Sequence, residues 1–132
     1  MSALTDLTAA EARRRLDDRD ITAADLTEAH LARIEALEPR LHCHLHVMAE
    51  TARAQASAAD ARIAAGDAAP MTGIPVSLKD VLCTVDAPTT AASRILDGYR
   101  SPYDATVVRR LREQGAVFVG KSNTDEFAMG SS

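Results

Sequence analysis

The chain is predicted to adopt an α/β fold, and three observations carry that prediction. Two helical stretches near the start each open on a capping box, an alternating apolar strand ends at Lys79, and a strand, loop, helix and second strand follow one another between residues 74 and 119. The 132 residues suit one domain or part of one, and 46% hydrophobic content is enough for a core. Much of that content is alanine, and aromatic residues make up only 3% (Tyr99, Tyr103, Phe118 and Phe127), so the core is thin for the length and hints at missing partner surface.

Taking the elements in order, Thr8 and Glu11 form the first capping box, each side chain satisfying a free backbone N–H, and a helix from about Ala9 to Leu16 follows. Thr22 and Asp25 repeat the signal, with Ile21 and Leu26 placed as a hydrophobic staple. Leu26, His30, Ile34 and Leu37 then recur at helical spacing down to Pro39, which gives an amphipathic helix that packs on something larger. His30 reads as a helix-face residue rather than a chemical one.

Between Leu41 and Val47 the pattern changes to period two, with His42, His44 and His46 on one strand face and Cys43, Leu45 and Val47 on the other. Same-face residues lie about 6.5–7 Å apart along a strand, so two of these histidines could share a metal only with further ligands from elsewhere. The preferred reading is a half-exposed strand with a polar histidine face and no metal. Residues 48 to 65 are rich in alanine and read as a helix closed by Gly66.

In the strand that follows, Ile74, Val76 and Leu78 share one face while Pro75, Ser77 and Lys79 share the other. Pro75 lacks an N–H and belongs at a sheet edge or at the first strand position. Two readings of Lys79 stand on this pattern. Drawn into apolar surroundings, its ammonium loses hydration, its pKa falls and the neutral amine can act as a base; left at the strand end, it snorkels into water and stays charged.

Residues 80 to 103 form a long stretch containing Pro88, Thr89, Thr90, Ser93, Gly98 and Pro102, a length that usually signals function. Asp104 is placed to cap a helix with a Val107, Val108 and Leu111 stripe ending at Gly115. Residues 116–119 make a short, wholly apolar strand, which implies burial on both faces and a parallel pairing with the Lys79 strand. A short helical turn at about 124–128 precedes Gly130, Ser131 and Ser132, and the chain is expected to stop in mid-domain.

Several function classes are set aside. Net charge is −4, and Arg13, Arg14, Arg15, Arg109, Arg110 and Arg112 are interleaved with acids, so no basic stripe suggests direct nucleic-acid binding. No signal peptide or membrane span is predicted, and Cys43 and Cys83 lack metal or redox spacing, which favours reduced thiols and a cytoplasmic location. The run from Gly115 to Ser122 matches the phosphate-loop pattern with Lys121 at its lysine, yet its spacer is itself a strand rather than a turn, so a nucleotide site is rejected.

Four separated blocks carry a resemblance: Gly73 to Asp80 (Gly-Ile-Pro-Val-Ser-Leu-Lys-Asp), Thr89 to Ser93, Pro102 to Val108, and Gly120 to Ser132. Together they resemble the amidase signature family across most of residues 20 to 132. Within it, the Tyr-Asp-Ala-Thr-Val-Val and Asp-Glu-Phe-Ala-Met-Gly-Ser-Ser runs look most like the A subunits of the tRNA-dependent amidotransferases.

That resemblance implies the N-terminal portion of the amidase signature fold, with helices packed on a mixed sheet that is incomplete here, a helical start at about 8–38 and a sheet-forming part at about 41–132 of a single domain. It implies a serine–cis-serine–lysine triad in which Lys79 is the base that takes a proton from the bridging serine. Both serines of the family lie in a Gly/Ser-rich block that these residues do not contain, so the chain is expected to be inactive alone. Met129, Gly130 and Ser131 are implied to approach the acyl pocket. The implied reaction hydrolyses glutamine and passes ammonia to another subunit of a heterotrimer, where ATP and magnesium activate Glu-tRNA(Gln) or Asp-tRNA(Asn). No cofactor is implied for this chain, tRNA would be met mainly through the partner subunit, and no membrane is involved. A stand-alone amidase acting on small amides and a non-catalytic interaction module remain the alternatives.

Overall fold

The computed structural model describes residues 3–130. Its elements are helix α1 (Ala9–Asp17), helix α2 (Ala23–Leu41), strand β1 (His44–Val47), helix α3 (Ala49–Ala64), strand β2 (Pro75–Lys79), helix α4 (Thr106–Glu113) and strand β3 (Val117–Ser122), with short 3-10 turns at Leu4–Asp6, Arg94–Leu96 and Glu126–Ala128. The three strands form one mixed sheet in the order β1-β3-β2, with β1 antiparallel and β2 parallel to β3.

Both predicted capping boxes are formed, Thr8 with Glu11 and Thr22 with Asp25. At α2 a distant residue completes the cap: Asp60 of α3 accepts from the N–H groups of Ala23 (2.7 Å) and Ala24 (3.1 Å), so the free donors of the first turn are satisfied from two places. Ile21 and Leu26, the predicted staple, are both buried in one cluster.

The sheet is packed on both faces. Val117 and Val119 join the cluster formed by α1, α2 and α3, with Leu16, Leu26, Leu31, Ala52, Ala56 and Ala59. Phe118 and Ala116 join Leu78, Met48, Ala87 and Val108 of α4 on the other side. The central strand β3 is therefore buried on both faces, as its wholly apolar start requires. Gly120 is where β1 comes closest: a Cβ there would lie 2.7 Å from the His44 ring and 2.9 Å from the His46 carbonyl oxygen. Gly73 turns with φ +79° immediately before β2, against Ala23.

Four local expectations are corrected. Helix α2 does not stop at Pro39 but runs on to Leu41, because a proline in the last turn removes one hydrogen bond without ending the next, and the His42 N–H still reaches the Glu38 carbonyl at 3.0 Å. His42 is consequently the left-handed cap of α2 (φ 51°), outside the strand, and does not share a face with His44 and His46. Ile74 lies in the turn before β2, where its N–H bonds to the Met71 carbonyl, and packs with the helix cluster, whereas Val76 and Leu78 pack on the α4 side. Asp104 does not cap α4, whose N-cap is Ala105; its carboxylate instead accepts from the Val85 N–H (2.9 Å) and from Arg112 (2.9 Å). In the stripe of that helix, Val108 is fully buried while Val107 is exposed.

Candidate active site

Lys79 is the last residue of β2, and β2 is an edge strand with Pro75 at its first position, as a residue without an N–H requires. The Lys79 side chain is exposed and has no ion-pair partner among the described residues. Alternation sets it on the sheet face opposite Leu78 and Asp80, which are buried.

Behind Lys79 stands a charged pair that the sequence did not announce. Lys121 is fully buried, and its Nζ lies 2.8 Å from Asp80 Oδ1. The same ammonium donates to the Pro88 carbonyl (3.0 Å) and to Thr89 Oγ1 (2.9 Å), so its charge is paired and two of its donors hold the loop. Asp80 Oδ2 accepts from the Thr90 N–H (3.0 Å) and from its hydroxyl (2.6 Å). Burial pushes the Asp80 carboxyl up, yet the bonds from Lys121 and Thr90 more than offset this and hold it below the usual carboxylate range.

Lys121 reaches this position through a register irregularity. Val76 pairs with Phe118 but Ser77 pairs with Gly120, so β3 carries one extra residue between them. That residue shifts the alternation of β3 and brings Lys121, opposite Leu78, onto the face of Asp80. The phosphate-loop match is thereby answered in structural terms: Gly120, Lys121 and Ser122 are strand residues, and the lysine is committed to protein partners.

The 88–93 loop joins this pair to the last described turn. The Ala91 N–H donates to the Asp80 carbonyl (3.1 Å), and the Phe127 N–H donates to the Ala91 carbonyl (2.8 Å). The Ser93 hydroxyl donates to Glu126 at 2.7 Å. Ala91, Ala92, Phe127 and Ala128 all have φ between 51° and 57°, a left-handed conformation costly for residues other than glycine. Met129 and Gly130 follow that turn and are exposed, while Ser131 lies outside the described residues.

The histidines do not assemble a site. The His44 N–H and ring Nδ1 lie 2.8 and 3.0 Å from the Glu38 carboxylate, which those bonds hold below its ordinary pKa. His30 Nδ1 donates to the Leu26 carbonyl (2.8 Å) on its own helix. Among the described residues, no group of three or more His, Cys, Asp or Glu converges as a metal site.

With this geometry in view, the family profile described as Amidase matches residues 25–132. The chain belongs to the amidase family. It is 53% identical over 131 residues to the A subunit of the glutamyl-tRNA(Gln) amidotransferase of Granulibacter bethesdensis, covering 99% of this chain and 26% of that relative. The protein of the same name from Salinispora arenicola is 54% identical over 133 residues, covering all of this chain and 27% of the relative. Among solved structures, the native peptide amidase from Stenotrophomonas maltophilia matches with a TM-score of 0.86 and 36% identity, over 92% of this chain and 26% of that one. This amidase chain thus spans about a quarter of the length of the curated relatives it matches, and its fold is the N-terminal part of the amidase fold. Among the described residues, no helix is long and apolar enough to cross a membrane.

Proposed function

We propose that residues 1–132 are the N-terminal part of the single amidase domain of a tRNA-dependent amidotransferase A subunit. The subunit hydrolyses glutamine, and the ammonia converts Glu-tRNA(Gln) or Asp-tRNA(Asn) to the amidated form on a partner subunit that uses ATP and magnesium. Lys79 is the base of a serine–cis-serine–lysine triad. One observation carries the assignment: of the two lysines at this end of the sheet, Lys121 is buried and committed to Asp80, Pro88 and Thr89 while Lys79 stays exposed at a strand end. The next residue, Asp80, is buried and its N–H donates to the Ser122 carbonyl of β3. The identity of just over half to relatives named as that subunit supports the substrate class.

In the proposed reaction, the neutral Lys79 amine takes a proton from the bridging serine, which takes one from the nucleophilic serine as that oxygen attacks the glutamine amide. Ammonia leaves, and water releases glutamate from the acyl-enzyme. Met129, Gly130 and Ser131 line the acyl pocket. Residues 1–132 alone, lacking both serines, release no ammonia.

The test is glutaminase activity of the complete subunit with its partners. K79A should lower kcat by roughly 10²–10⁴-fold, the range of a lost general base. Unchanged activity in K79A would favour a non-catalytic interaction module. Ammonia release from small amides without ATP or partner subunits would favour a stand-alone amidase.

A further inference from the structure

We propose that the buried Asp80–Lys121 pair is a positioning device, setting Lys79 and the 126–129 turn relative to each other through the 88–91 loop. The inference rests on the reading of Lys79 as base and of Met129 as a pocket residue. It adds Asp80, Thr90 and Lys121 as residues that act through others rather than on substrate.

A buried ion pair is a poor source of net stability, because removing two charges from water costs about as much as their attraction returns. Such a pair is better explained by what it orders. Here Asp80 is the residue after Lys79, and its backbone and carboxylate both reach neighbouring segments. Its N–H bonds to the Ser122 carbonyl at 3.0 Å and its carbonyl accepts from Ala91. One carboxylate oxygen faces Lys121 and the other takes both donors of Thr90. From Lys121 the remaining donors return to Pro88 and Thr89 in the same loop. The pair therefore clamps the loop at three successive residues, Pro88, Thr89 and Thr90.

The loop then hands the constraint on. Ala91 and Ala92 are held left-handed without glycine, and Ala91 binds the backbone of Phe127, itself left-handed. Such conformations persist only where surrounding contacts over-determine them. Loss of the clamp would let both turns relax, shifting the segment that ends in Met129 away from Lys79. A misplacement of about 1 Å is enough to lower a rate by roughly 10²-fold.

The experiment compares four variants of the complete subunit in its complex: D80N/K121M, which removes both charges together, T90V, T90S and K79A. Glutaminase kcat, KM for glutamine and Tm are measured for each. The expected result is a D80N/K121M protein whose Tm stays near the parent value while kcat falls roughly 10–100-fold and KM rises. T90V changes both constants in the same direction, and T90S, which keeps the hydroxyl, restores them. Native kcat and KM in D80N/K121M would overturn the inference. Should that variant fail to fold, T90V decides, and kcat and KM equal to those of T90S overturn it. K79A reads the underlying assignment separately: activity retained in K79A rejects Lys79 as base, whereas activity lost in K79A but native in D80N/K121M rejects only the positioning role.

Discussion

Arg112 Nε lies 2.9 Å from Asp104 Oδ2, and the same guanidinium reaches Asp86 at 2.7 Å while standing 5.2 Å from the centre of the Phe118 ring. One side chain of α4 thereby ties both ends of the long 80–103 stretch to the core. Burial lowers the Arg112 pKa, but bonds to Asp104 and Asp86 raise it overall, so the cation is permanent. Replacement by methionine keeps the apolar cover over Phe118 and leaves two part-buried carboxylates without a cation. R112M is expected to lose about 1–3 kcal/mol of stability, measured by urea unfolding of the complete subunit. A loss no larger than that of the surface variant R109M, whose arginine pairs with the exposed Glu113, would contradict the role.

Acid sensitivity follows from the same carboxylates. Asp104, like Asp80, is pushed up by burial and pulled further down by its partners, here Arg112 and the Val85 N–H, so its folded pKa lies below the ordinary value of 3.8. A depressed carboxyl contributes stability that is complete above the unfolded pKa and is lost as pH falls through the folded one. Stability is therefore expected to be flat in this respect above about pH 5 and to fall steadily below about pH 4. D80N/K121M should show a shallower acid limb in a plot of Tm against pH, since one of the two titrating groups is gone.

Gly120→Ala tests the approach of β1. The added Cβ would meet the His44 ring at 2.7 Å and the His46 carbonyl at 2.9 Å. The ring can turn aside but the carbonyl is backbone, so β1 must shift. A destabilisation of about 1–3 kcal/mol is expected, with faster amide exchange in residues 44–47. H44A in the G120A background should recover only part of the loss, because the carbonyl contact persists.

The α2 cap divides its work between near and distant residues. T22A removes one local acceptor and is expected to cost about 1 kcal/mol. D60A frees two N–H groups, those of Ala23 and Ala24, and loosens α3 from α2, so a larger loss of about 1–3 kcal/mol is expected. A D60A variant with the parent Tm would show that the Asp60 bonds add nothing to the local cap.

How much of the molecule is legible in its sequence depends on how far apart the interacting groups lie in the chain. The capping boxes at Thr8 and Thr22, the proline at the start of β2, the glycine ends of α3 and α4 and the two-sided burial of β3 are all readable, because each is satisfied by residues a few positions away or by a simple alternation. The four motif blocks likewise point to the family, since they are a property of residue order. His42 is harder to place, because Pro39 has the look of a stop although one missing donor in a last turn does not unwind it.

What the tertiary structure decided is the use of each charged group. Asp104 has the composition of a cap and serves as a clamp. Asp60 lies within the alanine-rich helix and closes another helix. Lys121 stands in a phosphate-loop pattern, yet one extra residue in β3 turns it onto the face of Asp80. A helix cap needs only local backbone geometry, so sequence alone determines it. A buried ion pair needs strand register, a bulge and a loop folded over the sheet, and its energy depends on the exclusion of water by residues from all three.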